Sequence, residues 1–548
     1  MKKRAPPKFA VCDSETDPFI FGRIPKPFIW GYFDGLIFKT FLDTKDFIDY
    51  ISKIKITIYA HNGGKFDYMF LLDYVNAFEK PTIINGRLSK LRIGKCTLVD
   101  SYNILPIALA DYQKDEIDYA KFEKKVRRKY MVEITDYLRS DCVYLYDLVK
   151  RYRDEYGADL TQASGALKTF QKMQNEKVPR HNDKAMFGLF KKYYHGGRVQ
   201  CFQKGIIEQD FDVVDINSAY SFAMMYNHPY GLYFLYGDRE IPFSENERVF
   251  YRIECISRGA FPYREKPNSG LSFPDDSQVR EYYVTDWEYW TAKNARLIRN
   301  IKIIECVMFP TTRNFSEYVT RFYNGRKQAK IDNDLALDLL YKFRLNSLYG
   351  KFGSDYRKYE NYIVLPKDFE SAEWDKIDDF GKDNILLSQP LSDEDMKFFN
   401  VATSASITGF VRAYFLAAAV QVGFKNLLYG DTDSLAVLKG HIHKLNIGKQ
   451  LGAWKNEGEF KRSGIAGKKL YIFEKNPKCK IYLAEKDKAK KKGEKVSKYK
   501  KASKGVRLTD AQMWKVCRGG EVIHKKDSPS FSVTGKARFT ERTIKMIV

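Results

Sequence analysis

Twice in this chain a short apolar run ends in two acids separated by one residue. FAVC leads into Asp13-Ser14-Glu15, and LLYG leads into Asp431-Thr432-Asp433, which SLAV follows. Side chains at i and i+2 of a strand share a face, so each pair projects together. Two like charges side by side are costly unless a cation lies between them. Hard divalent ions, Mg2+ or Mn2+, accept oxygen ligands of this type, and two of them roughly 4 Å apart activate an oxygen nucleophile and stabilise a leaving oxygen in phosphoryl chemistry. Gly430 and Thr432 permit a tight hairpin around the second pair.

Other acids fall where they can join these pairs. Asp67 follows the apolar run ITIYA in the string HNGGKFD, which reads as a strand, a glycine turn and a helix. Asp141 lies on an amphipathic helix, one turn after Tyr137, so a phenol stands beside a carboxylate and can orient an attacking water. In VVDINSAY, Asp215 ends another apolar strand and supplies a third acid to the pair at 431 and 433. Lys330 and Lys342 frame KIDNDLALDLLYKFRLNSLYG, and one helix carrying both on one face would present cations to a leaving pyrophosphate.

The charge agrees with a polyanionic partner. Among 548 residues, Lys and Arg number 93 against 69 Asp and Glu, a formal +24, which points to a nucleic acid or an anionic membrane. A 44% hydrophobic share excludes global disorder. No apolar run reaches the roughly 18 residues of a membrane span, and the start lacks a signal core. The eight cysteines form no C-x-x-C pair, so neither zinc nor a disulfide framework is expected, and a reducing compartment fits. His441 and His443 read as surface polar residues. The lysine-rich run Lys486 to Arg507 reads either as a solvated loop or as a phosphate-contacting element.

The order Asp13-x-Glu15, then Asn62…Phe66-Asp67, then Tyr137-x-x-x-Asp141 resembles the 3′–5′ proofreading exonucleases with four acids and a tyrosine. DINSAY, KFRLNSLYG and YGDTDS resemble motifs A, B and C of family B DNA polymerases, in that order. Tyr194-His195-Gly196-Gly197, Lys469-Leu470-Tyr471, the segment LGAWKNEGEFKRSGIAGKKLY and KDEIDY are similar to elements of the protein-primed subgroup, typified by replicases of small Bacillus phages. Motif A departs from the usual pattern in reading Ser218-Ala219-Tyr220-Ser221, without the proline. Three residues rather than two separate Asn62 from Phe66, and the span from Asp67 to Asp141 is short for the subgroup.

The resemblance implies an α/β and α+β multidomain fold: an RNase H-like 3′–5′ exonuclease domain plus a right-hand polymerase with palm, fingers, thumb and two subgroup-specific insertions. The exonuclease would span about 1–158, a linker about 159–200 and the polymerase about 201–548, with insertions near 235–312 and 354–398 and the thumb near 500–548. It implies two Mg2+ per active site, with Mn2+ able to substitute, held by Asp13, Glu15, Asp67 and Asp141 in one and by Asp215, Ile216, Asp431 and Asp433 in the other. Tyr137 and Lys114 would assist hydrolysis. Tyr220, Lys330, Lys342, Asn346 and Tyr349 would bind the nucleotide, with Tyr220 excluding a ribose 2′-hydroxyl. Thr16, His61, Asn62, Phe66, Tyr119, Tyr194, Gly196, Gly197, Lys469 and Tyr471 would contact DNA.

The implied partners are primer-template DNA, deoxynucleotides, a terminal protein primer in a heterodimer and a single-stranded-DNA-binding protein. No membrane is involved, the chain is otherwise a monomer, and the location is the host cytoplasm. Two competing readings, a DNA-binding 3′–5′ exonuclease without synthesis and a non-catalytic basic binding protein, leave the Asp215, Asp431, Asp433 set unexplained. A reverse transcriptase fits the motif B helix poorly.

Overall fold

The computed structural model describes residues 9–109, 112, 115–179, 184–267, 269–392, 394–395, 400–491 and 495–547. Near the N-terminus a seven-stranded sheet has the order Phe38–Phe41, Pro27–Phe33, Phe9–Thr16, Thr57–Ala60, Cys96–Asp100, Arg87–Ile93, Thr82–Ile84. Phe9–Thr16 is an interior strand, antiparallel to Pro27–Phe33 and parallel to Thr57–Ala60. The run FAVC is continuously apolar because both faces of this strand are covered. Val11 packs with Leu138, Cys142 and Leu145 of the helix Met131–Tyr156, while Ala10 and Cys12 join Trp30, Phe47 and Ile48 on the other side. Gly31 lets that helix approach closely, since a Cβ there would lie 3.0 Å from Leu138 Cγ.

The helix expected after HNGGKFD does not form. Three single 3-10 turns, Gly63–Lys65, Asp67–Phe70 and Leu72–Tyr74, take its place. Asn62 is left-handed at φ 63°, and Gly64 runs so close to the neighbouring strand that a Cβ would sit 2.1 Å from Leu88 O. Tight packing of backbone on backbone there overrides the apolar spacing of the following residues.

The helices Gln162–Gln174 and Lys184–Lys191 lead to the turn at Gly196 and Gly197. Beyond it lies an eight-stranded sheet whose main path runs Tyr499–Ser503, Leu470–Lys475, Trp454–Gly467, Phe211–Ile216, Ser434–Leu438, Leu427–Asp431, Val199–Cys201, with Gly205–Ile207 paired to Trp454–Gly467. Phe211–Ile216 is antiparallel to both neighbours. The helices Ser316–Ile331, Leu335–Phe352 and Val401–Val422 cover one face through Phe322, Leu345, Leu348, Ile407 and Phe415, against Val214, Ile216 and Leu435. Among the described residues Val401–Val422 is the one helix long and apolar enough to cross a membrane, and it is buried in this core.

Two smaller sheets interrupt this body. One orders Phe234–Tyr236, Ile298–Phe309, Arg248–Arg258 and Asp275–Thr285 beside the helix Asp286–Asn294; the other orders Glu360–Pro366, Asn384–Pro390 and Asp375–Phe380. The C-terminal part contributes the helix Asp510–Cys517 and two small strand pairs, Val522–Lys525 with Glu541–Ile544 and Ser530–Phe531 with Ala537–Arg538.

Two further expectations are corrected. Lys330 and Lys342 do not share a helix: Lys330 is in the last turn of Ser316–Ile331, Asn333 turns left-handed at φ 55°, and Lys342 lies on Leu335–Phe352. Asp334 caps the second helix by accepting from Leu337 N, which starts it afresh. The lysine-rich run is not a plain loop either. It begins in the exposed helix Lys480–Lys491 and continues into the edge strand Tyr499–Ser503, where Lys500 pairs with Glu457 and Lys501 with Asp510.

Candidate active sites

The strand Phe9–Thr16 brings Asp13 and Glu15 to one face, and the helix Met131–Tyr156 brings Asp141 to meet them. One oxygen from each lies within 4.8 Å of the other two, and this is the only such cluster of three acidic, His or Cys groups among the described residues. Asp67 joins through the strand: Ser14 Oγ donates to Asp67 Oδ1 at 2.5 Å. Burial pushes the Asp67 carboxyl up to about 6. A compact set of acids offering only oxygen donors fits hard divalent cations.

Tyr137 is buried one helical turn from Asp141, and desolvation raises its phenol pKa. Its Oη lies 3.1 Å from Tyr119 Oη, so the exposed Tyr119 ring orients it. Asp13 and Asp67 open into a cleft of about 530 Å³ that His61, Asn62 and Phe66 also line. Asn62 Oδ1 accepts from Arg87, which pairs with Asp100 at 2.6 Å. The His61 ring lies 3.1 Å from Ser101 Oγ and 2.8 Å from Ile107 O, so protein partners hold it in place. Thr16 is buried at a strand irregularity and its Oγ1 donates to Asp17 O. Lys114 lies outside the described residues.

The second centre is built across three adjacent strands. Asp215 stands opposite Ser434 and Lys455, and Asp431 stands opposite Ser434 across the hairpin. Thr432 at φ 62° makes the turn, and Ile216 N donates to Asp433 O at 2.8 Å, which fixes motif A against motif C. Asp215 is pushed up to about 7 by burial first and then by Asp433 and Glu457; Asp433 is pushed up to about 6 by burial, with Asp431 adding to it. Half-buried acids raised by desolvation and by neighbouring carboxylates fit a cation between them. Asp431 is turned toward Lys469 and so stays out of a tight three-acid cluster.

Around these acids the other expected residues are spread over four elements. Tyr220 stacks on Tyr349 with centroids 4.3 Å apart and planes within 9°, and burial pushes Tyr220 up to about 12. Lys342, Asn346 and Tyr349 fall on one face of their helix at i, i+4 and i+7. Gly197 abuts the motif C turn: a Cβ there would lie 2.6 Å from Thr432 Cγ2, and Thr432 N donates to Arg198 O at 2.6 Å. Arg412, from the buried helix, donates to His195 O and Gly196 O and pairs with Glu288. Tyr194 packs on Gly353, and Tyr471 stacks on Phe473 beside Tyr429.

Residues 110–422 match the family model described as DNA polymerase type B, organellar and viral. The chain belongs to this family. The polymerase is 35% identical to the DNA-directed DNA polymerase of Enterobacteria phage PRD1 over 99% of both chains. It is 24% identical to the DNA polymerase of Bacillus phage phi29 over 88% of each. The structure of phi29 DNA polymerase complexed with primer-template DNA and incoming nucleotide substrates aligns with a TM-score of 0.75 at 19% identity, over 99% of this chain and 100% of that one. The polymerase therefore has the exonuclease, palm, fingers and thumb architecture.

Sequence reasoning missed Glu457, which acts on Asp215 and Asp433 from the strand Trp454–Gly467 and pairs with Lys500 at 2.5 Å. It missed Arg412 as well, whose signal was a lone arginine inside an apolar helix. A buried charge of this kind is tolerated only when paired, and its partners identify its work.

Proposed function

We propose that this DNA polymerase is a protein-primed replicase of a linear viral or plasmid genome, combining strand-displacing synthesis with 3′–5′ proofreading. The observation that carries the reading is the presence, in one chain, of two oxygen-only acid centres, one opening onto an aromatic cleft and the other flanked by the Tyr220–Tyr349 stack. A nuclease without synthesis would have no use for the second.

Asp13, Glu15, Asp67 and Asp141 would hold divalent ions at the first centre, and Asp215, Asp431, Asp433 and Ile216 at the second, with Mg2+ as the ion in the cell and Mn2+ as a substitute. Bound ions supply charge neutralisation and an activated oxygen nucleophile. The chain's own residues do the positioning. Tyr137 orients the water for hydrolysis, Tyr220 closes the space beside the sugar, and Tyr349 offers a plane to any base. Lys342 and Asn346 face the nucleotide from the helix Leu335–Phe352, Lys330 approaches from the helix before it, and Lys469 and Tyr471 approach the primer end.

The priming protein would dock on the four-stranded sheet of residues 234–309, whose edge strand Phe234–Tyr236 leaves Phe234 and Leu235 exposed. The three-stranded sheet of residues 360–390 would help to enclose DNA. A single-stranded-DNA-binding protein would serve the displaced strand, and the work would take place in the host cytoplasm.

The test is extension of a primed single-stranded circle with Mg2+ and four deoxynucleotides, without helicase or clamp. Products many circles long support the replicase. Products that stop at one circle remove strand displacement, and degradation without extension removes synthesis.

A further inference from the structure

The cleft beside Asp13 and Asp67 is not built from the exonuclease motifs alone. Phe19, from the loop after the strand Phe9–Thr16, lines it together with Lys526, Ser528, Ser530 and Phe531 from the C-terminal part of the chain, some 500 residues away. Phe531 is buried and anchors that segment, its ring 6.0 Å from Phe66 and 5.8 Å from Phe70. The same hairpin is braced where Gly535 meets Leu72 and where Lys536 pairs with Asp378 at 2.6 Å. Phe19 is different: it meets Phe66 edge-on at 5.6 Å yet stays 47% exposed. The open face of that ring lies on the wall of a cleft that ends in acids, where a ligand entering the cleft would meet it.

We propose that Phe19 and Lys526 are substrate-binding residues of the proofreading site, Phe19 stacking on an unpaired base near the 3′ end and Lys526 contacting a backbone phosphate. This rests on the exonuclease reading of the first centre. An unpaired terminal base exposes a π-face that a duplex hides, and an aromatic ring binds that face whatever the base, as a proofreading site requires. Four acids repel the phosphates they cleave, so a cation facing the cleft lowers that repulsion. Lys526 Nζ donates to a neutral acceptor, Ser530 Oγ at 3.3 Å, and lies on the wall of the cleft. The C-terminal hairpin then serves as one wall of the excision site as well as part of the synthesis half.

The experiment uses the full-length protein in EDTA, titrated with a single-stranded oligonucleotide carrying 2-aminopurine at its 3′ end. In the wild type, stacking quenches the fluorophore. Phe19→Ala should remove most of the quenching and weaken binding about tenfold, with Phe19→Leu intermediate. Lys526→Gln should reduce the slope of log affinity against log salt by about 0.7. Phe19 is half-exposed and Lys526 is exposed, so neither substitution empties the core. Unchanged quenching and affinity in Phe19→Ala, or an unchanged salt slope in Lys526→Gln, overturns that residue's assignment while wild-type digestion of single strands, assayed in parallel with Mg2+, still stands. A wild type that does not digest them overturns the exonuclease reading and this proposal with it.

Discussion

Lys469 Nζ lies 2.8 Å from Asp431 Oδ1 and 2.9 Å from Oδ2, engaging both oxygens of a carboxylate that a divalent ion would use. Lys469 is itself left-handed at φ 56°, and its backbone N–H donates to Tyr429 Oη at 2.8 Å, so the side chain is aimed at the motif C turn. The ammonium and a metal ion compete for Asp431. Lys469→Gln should therefore tighten Mn2+ binding at the second centre by at least about threefold, an effect held down by the side chain's 57% exposure. Electron paramagnetic resonance of free Mn2+ reads this directly, and an affinity equal to that of the wild type would show that the ion pair does not compete.

The two centres should be separable. Asp433→Ala is expected to lower nucleotide addition by at least about a thousandfold while single-stranded 3′ ends are still digested, because its carboxylate belongs to the second centre alone. Asp13→Ala with Glu15→Ala should do the reverse. Both activities measured on one 5′-labelled primer check the pair, and loss of both in either variant would contradict two independent sites.

Acidity gives a third expectation. Asp215 and Asp433 are raised to about 7 and about 6 from the ordinary 3.8, so between about pH 4 and pH 7 these two acids hold more protons in the folded metal-free chain than in the unfolded one. Their contribution to stability therefore falls as pH rises through that window. A divalent ion binds the deprotonated acids and offsets the loss, so the rise in Tm on adding Mn2+ should be larger at pH 8 than at pH 5. Thermal melts at both pH values test this; an equal shift at both would mean that these acids do not titrate in the window.

Tyr220→Val should remove the ring that closes the sugar space and also strip Tyr349 of its stacking partner 4.3 Å away. The ratio of ribonucleotide to deoxynucleotide incorporation is expected to rise by at least about tenfold, as the excluded 2′-hydroxyl gains room. Single-nucleotide insertion kinetics with matched ribo and deoxy substrates measure it.

Gly197→Ala tests the contact between the linker and the motif C turn. The added methyl would lie 2.6 Å from Thr432 Cγ2 and must displace the turn that carries Asp431 and Asp433. A shift of that kind should cost nucleotide addition roughly tenfold to a hundredfold, with digestion of single strands retained. Steady-state rates for the two reactions decide it.

What the sequence determined by itself was local. Alternation at i and i+2 paired Asp13 with Glu15, helical spacing placed Tyr137 over Asp141, and a glycine-threonine turn marked the hairpin at Asp431 and Asp433. These patterns are readable because strand and helix periodicities depend only on neighbours along the chain. Tertiary structure decided the rest. Backbone packing against Leu88 replaced a helix after Gly64 with 3-10 turns, a left-handed Asn333 split Lys330 from Lys342, and the crossing of distant strands brought Glu457 to Asp215 and Lys469 to Asp431. No periodicity records that Phe19 and Lys526 line one cleft. Such contacts are set by how sheets stack and where loops close, and those are decided only when the whole chain buries its apolar surface at once.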